Sequence, residues 1–198
     1  MGNTDGDSDE IEALVRAFAL KDERRTGWEL RGISDPETVA GHSWGVALLC
    51  LVYGPQGTID VDRALRLAVI HDLAEAETGD VATRVNPETQ TVSAEEKEAR
   101  EREAMAALSK PFDFLSLWEE YEARKSAEAR FVKDMDLIDM CLQALVYERE
   151  ERYEKGESNE FEQFSDLDEF FATAEPRLTT DVGRELFSEI RGRYEAVR

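Results

Sequence analysis

Histidine is nearly missing from this chain, with only His42 and His71 in 198 residues, so any imidazole-based chemistry must draw on these two. Cysteine is as sparse. Cys50 and Cys141 each sit in an apolar helical run, which excludes a disulfide framework and reads both as reduced core thiols. No apolar run approaches the roughly 18 residues of a membrane span, and the polar start Met1-Gly2-Asn3-Thr4-Asp5-Gly6-Asp7 lacks the basic and apolar regions of a secretory signal. A soluble, cytoplasmic protein is expected. Sustained alternation of apolar and polar residues is also lacking, so no β-sheet is expected.

Basic charge is scarce: 24 Lys and Arg against 45 Asp and Glu give a net charge of -21. Six of the basic residues are Lys and eighteen Arg, and the acids are spread along the whole chain. Phosphate backbones and anionic lipids would be repelled, so duplex nucleic acid and membranes are excluded as partners. Dispersed acidity of this kind resembles a halophilic surface, tolerable where dense salt screens it. The length suits a single domain over residues 1–198.

What is abundant is helical period. Ser8 or Asp9 is expected to cap a first helix carrying Ile11, Leu14, Val15, Phe18 and Leu20, ending before Thr26-Gly27. Pro36 opens a second from Glu37 to Tyr53, burying Val39, Val46, Leu49 and Val52. A third, apolar nearly all round and therefore central, runs from about Asp60 through Leu73 to Ala76. Residues 84–90 read as a loop, and Ser93 to Leu108 as a charged helix whose Glu and Arg form a solvated face. A long stretch from Leu115 to about Glu151, with a break near Lys125-Ser126, precedes helices around Phe161 to Thr173 and Thr180 to Ala196, separated by Pro176. The fold class is all-α.

The most informative run is Val69-Ile70-His71-Asp72-Leu73-Ala74-Glu75-Ala76-Glu77-Thr78-Gly79-Asp80. An adjacent imidazole and carboxylate suit a divalent transition metal. His42, between small residues one turn into the second helix, is the other imidazole available. A further acid ligand is expected on an otherwise apolar helix, because a buried carboxylate needs a compensating cation or hydrogen bonds. Phe131 to Leu142 offers Asp134, Asp136 and Asp139; Asp136 lies beside the stripe of Val132, Met135, Leu142 and Leu145, but spacing alone does not separate the three.

Several motifs occur in order: Leu20-Lys21, Arg25-Thr26-Gly27-Trp28, Pro36-Glu37-Thr38-Val39-Ala40-Gly41-His42-Ser43, His71-Asp72-Leu73-Ala74-Glu75 with Gly79-Asp80, Ser126-Ala127-Glu128-Ala129, and Phe131-Val132-Lys133 before Asp136. Together they resemble the HD-domain superfamily of metal-dependent phosphohydrolases, in its 5'-deoxynucleotidase branch, over about residues 10 to 150. The resemblance implies a helical HD domain in which His42, His71, Asp72 and Asp136 hold a divalent cation (Co, Mn, Fe, Ni, Zn or Mg), and places Arg25 near a 5'-phosphate. Two positions depart from it: Gly41 stands where relatives often carry an acid, and no proline follows Asp80 in Val81-Ala82-Thr83-Arg84.

Phosphate monoester hydrolysis needs a water in line, charge neutralisation and a proton for the leaving oxygen. If the helix continues past His71, Glu75 lies one turn on and addresses the same cavity, as general acid or base. Asp80, turned back by Gly79, is a candidate for a sugar hydroxyl, for proton transfer, or for a second cation beside Glu75. Arg25 offers a planar fork to phosphate, with Lys21 or Arg31 in support, and Trp28 a face for base or sugar, or else a core anchor. Few basic residues flank these motifs, which favours a monophosphate over nucleoside triphosphates or cyclic phosphodiesters. A metal-stabilised nucleotide-binding module without turnover is the contrasting reading. Surplus apolar residues Leu137, Met140, Leu145 and Val146 suggest a homodimer.

Overall fold

The computed structural model describes residues 5–56, 58–153, 164 and 166–198. Ten α-helices follow one another among them: α1 Asp5–Phe18, α2 Thr26–Glu29, α3 Val39–Tyr53, α4 Val61–Ile70, α5 Glu75–Thr78, α6 Ala94–Leu108, α7 Leu115–Ala123, α8 Ala127–Arg149, α9 Asp168–Ala174 and α10 Asp181–Glu195. The only β element among the described residues is an isolated antiparallel bridge, Arg24 to Thr38. The all-α expectation holds, and no described helix is long and apolar enough to cross a membrane.

Helix starts follow side-chain caps. Thr38, Asp60, Ser93, Ser126 and Thr180 each accept the backbone N–H three residues on, satisfying a donor that the helix itself leaves free. Thr38 therefore opens α3, leaving Pro36 and Glu37 outside it. The break near Lys125-Ser126 is present: Arg124 adopts the left-handed conformation at φ 52°, and Ser126 caps α8. The first helix starts at Asp5, upstream of Ser8 and Asp9, and α9 starts at Asp168; the expected start near Phe161 falls outside the described residues. Residues 161–163 and 165 lie outside the described residues.

The central helix is α8, not the third helix of the sequence reading. It packs against α3, α4, α7, α9 and α10 and buries Phe131, Val132, Met135, Leu137, Ile138, Cys141, Ala144, Leu145 and Tyr147. By contrast α4 buries Ala64, Leu67, Ala68 and Ile70 on one side and leaves Val69 exposed. Cys50 and Cys141 are free and buried, and burial pushes the Cys50 thiol up to about 12.

Apolar spacing does not always mark the covered face. On α1, Ala13 faces inward and Ile11, Leu14, Val15 and Phe18 are exposed, because the helix meets α5 and α6 along its small-residue side. On α3, Val52 is exposed with Trp44, Leu48 and Leu51, while Val39, Val46 and Leu49 are buried as expected. Nor do Leu137 and Leu145 form an outer seam: both are buried against neighbouring helices of the same chain.

Candidate metal centre and active site

His71 lies where α4 gives way to a run of turns, so the helix does not continue unbroken to Ala76. Leu73 N–H donates to Ile70 O and Glu75 N–H to Asp72 O, three residues back rather than four, and α5 begins at Glu75. His71 Nδ1 donates to the Ala68 carbonyl at 2.7 Å. His42 Nδ1 donates to Asp139 Oδ2, also at 2.7 Å. Each acceptor fixes the ring proton on Nδ1, so both Nε2 atoms present lone pairs, 3.3 Å apart.

Two carboxylates stand beside these nitrogens. Asp72 Oδ2 lies 3.1 Å from His71 Nε2 and 3.5 Å from His42 Nε2. Asp136 Oδ1 lies 3.3 Å from His42 Nε2. The other Asp136 oxygen accepts Lys133 Nζ at 2.6 Å and Tyr121 Oη at 3.0 Å, which leaves Oδ1 turned inward. His42 Nε2, His71 Nε2 and Asp72 Oδ2 all lie close to one another, and Asp136 adds a further carboxylate oxygen beside His42; electron-pair donors crowded in this way repel one another unless a cation joins them. The set fits a mixed imidazole and carboxylate divalent site. With no cation bound, burial and Arg25 lower the pKa of His42 but Asp136 and Asp139 on its two sides raise it to about 10, so a cation would bind by displacing the Nε2 proton and freeing that lone pair.

Of the three acids on α8, the structure separates what spacing did not. Asp136 faces the donor cluster, Asp139 stands behind His42, and Asp134 is fully buried elsewhere, accepting the Thr179 and Thr180 N–H groups at the start of α10. Gly45 makes room for Asp139: a Cβ there would lie 2.0 Å from Asp139 Oδ1. Alanine at this mid-helix position would ordinarily stabilise by about 0.5–1 kcal/mol. Gly45→Ala is instead expected to displace Asp139 and weaken metal affinity by roughly 10- to 100-fold, measured by competition with a chromogenic chelator.

Glu75 is 2% exposed and lines the same cavity as Asp72 and Asp136. Burial, then Asp72 and Asp80, hold its carboxyl well above the ordinary range, against Lys97 and Arg25. Gly79, at φ 75° in the left-handed region, turns the chain after α5 and brings Asp80 back to the cavity. There Asp80 accepts the Thr26 N–H at 2.6 Å, and its other oxygen lies 3.5 Å from Arg25 Nη1. Arg25 also lies 3.6 Å from Asp72, so its guanidinium spans the two acids.

Trp28 is 1% exposed, donates Nε1 to Glu37 at 2.9 Å and lies under Phe170, with ring centroids 3.9 Å apart. It anchors the core, and Phe170 covers the face that sequence reading offered to a base. Lys21 lies over the Phe18 ring and does not line the cavity, whereas Arg31 does.

Sequence reasoning also missed part of the wall. Arg84, Lys97, Lys133 and Arg177 line the cavity with Arg25 and Arg31, so the scarcity of basic residues near the motifs does not carry over to the folded site. Lys133 and Arg84 stand beside the motifs, while Lys97 and Arg177 arrive from distant segments; the signal available for Lys97 was its register with the inner stripe of α6. On the far wall, Glu169 of α9 pairs with Arg31 Nη2 at 2.5 Å and Arg84 Nε at 2.9 Å. Burial alone would raise the Glu169 pKa, but the two guanidinium groups outweigh it and lower it. A depressed carboxylate contributes stability above its unfolded pKa and loses it as pH falls through the folded value. Glu169→Gln is expected to destabilise by about 2 kcal/mol near neutral pH, with the gap in melting temperature closing in acid.

Residues 17–178 match the HD-domain family, and the chain belongs to that family. Its relatives include the protein named 5'-deoxynucleotidase HDDC2 in Bos taurus, 44% identical over 144 residues, or 70% of this chain and 67% of that one. The protein named 5'-deoxynucleotidase hdd1 in Schizosaccharomyces pombe is 36% identical over 146 residues, or 69% and 71%. Among solved structures, a conserved hypothetical protein from Pyrococcus furiosus superposes with a TM-score of 0.71 at 31% identity, covering 91% of this chain and 98% of that one. The cyanophage S-2L HD phosphohydrolase, bound to dA and one catalytic zinc ion, shares the fold at a TM-score of 0.58 and 22% identity, covering 92% and 94%.

Proposed function

We propose that this protein is a metal-dependent 5'-deoxynucleotidase, hydrolysing deoxyribonucleoside 5'-monophosphates to a deoxynucleoside and inorganic phosphate. The observation that carries the reading is the clustering of two imidazole nitrogens with Asp72, and Asp136 beside them, at the wall of a cavity that Asp72, Asp136, the buried Glu75 and the Arg25 guanidinium line. The relatives named as 5'-deoxynucleotidases support the substrate class.

His42, His71, Asp72 and Asp136 would hold the divalent cation. When bound, such a cation lowers the pKa of a water and draws charge from phosphoryl oxygens. Arg25 binds a second phosphoryl oxygen through its fork, held between Asp72 and Asp80. Water adds at phosphorus as the bond to the 5'-oxygen breaks, and Glu75, whose carboxyl burial shifts well above the ordinary range, passes a proton to the leaving oxygen and recovers one from the water. Asp80 orients Arg25 and faces the sugar. Phe170, lying over the core anchor Trp28, is the aromatic wall on which sugar and base pack.

Product analysis tests the reaction class. Orthophosphate and deoxyadenosine from dAMP support it. Release of pyrophosphate or triphosphate from dATP, with dAMP untouched, moves the chain to a nucleoside triphosphatase, a role the basic side chains of the wall would suit.

One buried cluster draws on α2, α3, α4 and α6 to α10, which supports reading the chain as a single domain. The acidic composition supports activity in a concentrated salt cytoplasm. Trp44, Leu48, Leu51 and Val52, exposed on one side of α3, support a homodimer seam there. Trp44→Glu is expected to convert a dimer to a monomer in light scattering after size exclusion, with the melting temperature of the monomer little changed.

A further inference from the structure

Helix α6 looks from its sequence like a solvated rod, and Glu95, Glu96, Glu98, Arg100, Arg102 and Glu103 are indeed exposed. Its inward stripe is different. Ala104, Met105 and Leu108 are buried, and one and two turns earlier the same stripe carries Glu101 and Lys97. Charged side chains at positions where the helical period calls for apolar ones must be held by partners. Lys97 Nζ lies 3.2 Å from Glu101 Oε1 on its own helix and 3.2 Å from Glu75 Oε1 across the cavity.

The pair is unequal. The Lys97 side chain is 30% exposed, while that of Glu75 is 2% exposed. The second Glu75 oxygen, Oε2, is buried and has no hydrogen-bond partner among the described residues. A surface ion pair of two solvated side chains contributes little, but here one partner is enclosed, and removing the ammonium takes away the side-chain donor to its carboxyl. Helix α6 also packs on α5, which carries Glu75, so the ammonium and the carboxyl are fixed by two elements in contact.

We propose that Lys97 is a positioning residue of the hydrolytic site: anchored by Glu101, its ammonium holds Glu75 by Oε1 and so fixes the carboxyl in the cavity, with Oε2 the oxygen that no other described group engages. What Glu75 does there rests on the phosphomonoesterase reading above; the pairing itself does not. Lys97 touches no reacting atom, and its effect passes through Glu75.

The experiment is a double-mutant cycle on the full chain, with Lys97→Met and Lys97→Arg made alone and in a Glu75→Gln background. With dAMP and a divalent metal, Lys97→Met is expected to lower kcat by about 10- to 100-fold while KM shifts less than about threefold, and Lys97→Arg to recover most of the loss. In the Glu75→Gln background Lys97→Met should lower the rate no further. Melting of the metal-free protein gives a second cycle that needs no turnover: Lys97→Met lowers the melting temperature of the wild type and leaves that of Glu75→Gln unchanged. Equal effects of Lys97→Met in the two backgrounds, on rate or on melting, overturn the proposal, as does an unchanged kcat. If the wild type releases no phosphate from dAMP, the activity reading fails, and the melting cycle alone decides whether Lys97 and Glu75 act as a pair.

Discussion

His71→Ala is expected to reduce phosphate release from dAMP to background and to lower affinity for a divalent cation by more than about 100-fold, beyond what the loss of a supporting hydrogen bond costs. The magnitude follows from the geometry. His71 Nε2 lies 3.3 Å from His42 Nε2 and 3.1 Å from Asp72 Oδ2, so it stands between two of the other three donors. Its tautomer is set by the Ala68 carbonyl, within the same chain segment, and no neighbouring side chain can replace it because His42 is the only other histidine. The variant also loses packing, since His71 is 2% exposed and lies edge-on to Tyr121. Metal content by elemental analysis, read beside a melting curve, separates the two effects: a folded, metal-poor, inactive protein is the expected result. Full metal content with full activity would remove His71 from the ligand set.

Glu75→Gln is expected to act on rate and spare metal binding. It keeps the size of the side chain but loses the charge that Lys97 answers and cannot deliver a proton, and loss of a positioned acid or base costs roughly 10²- to 10⁴-fold in kcat. Because Glu75 stands outside the cluster formed by His42, His71, Asp72 and Asp136, cation affinity should change by less than about tenfold and KM for dAMP by a similar or smaller factor. Steady-state kinetics at saturating metal, with affinity measured by chelator competition, checks both. A variant with unaltered kcat would show that proton transfer passes through another group. A non-catalytic binding module would show no turnover to lose in the first place.

The sequence reveals the centre of the site more fully than its walls, and the reason is physical. His42, His71 and Asp72 stand out because two of them are the only histidines and the third is adjacent, and helical period places Glu75 one turn along even though the ladder tightens after Ile70. Asp136 needed the family resemblance, since Asp134, Asp136 and Asp139 are all buried or half-buried on α8 and differ only in what other helices bring to them. Lys97, Glu169 and Phe170 reach the cavity through tertiary packing across tens of residues, which local period does not encode. The exposed stripes of α1 and α3 failed for a related reason: amphipathic spacing says that a face is apolar, not that this chain covers it. The break at Arg124 and the caps at Ser93, Ser126 and Thr180 are local, and there sequence and structure agree.

The most direct test of the account is phosphate release from dAMP, AMP and dATP by metal-stripped protein in concentrated salt, before and after addition of Co, Mn, Mg or Zn separately. The account predicts no release from the stripped protein, and, with a suitable ion restored, orthophosphate from dAMP well above that from AMP. Release from dAMP that is indifferent to chelation, or turnover confined to dATP, would contradict it.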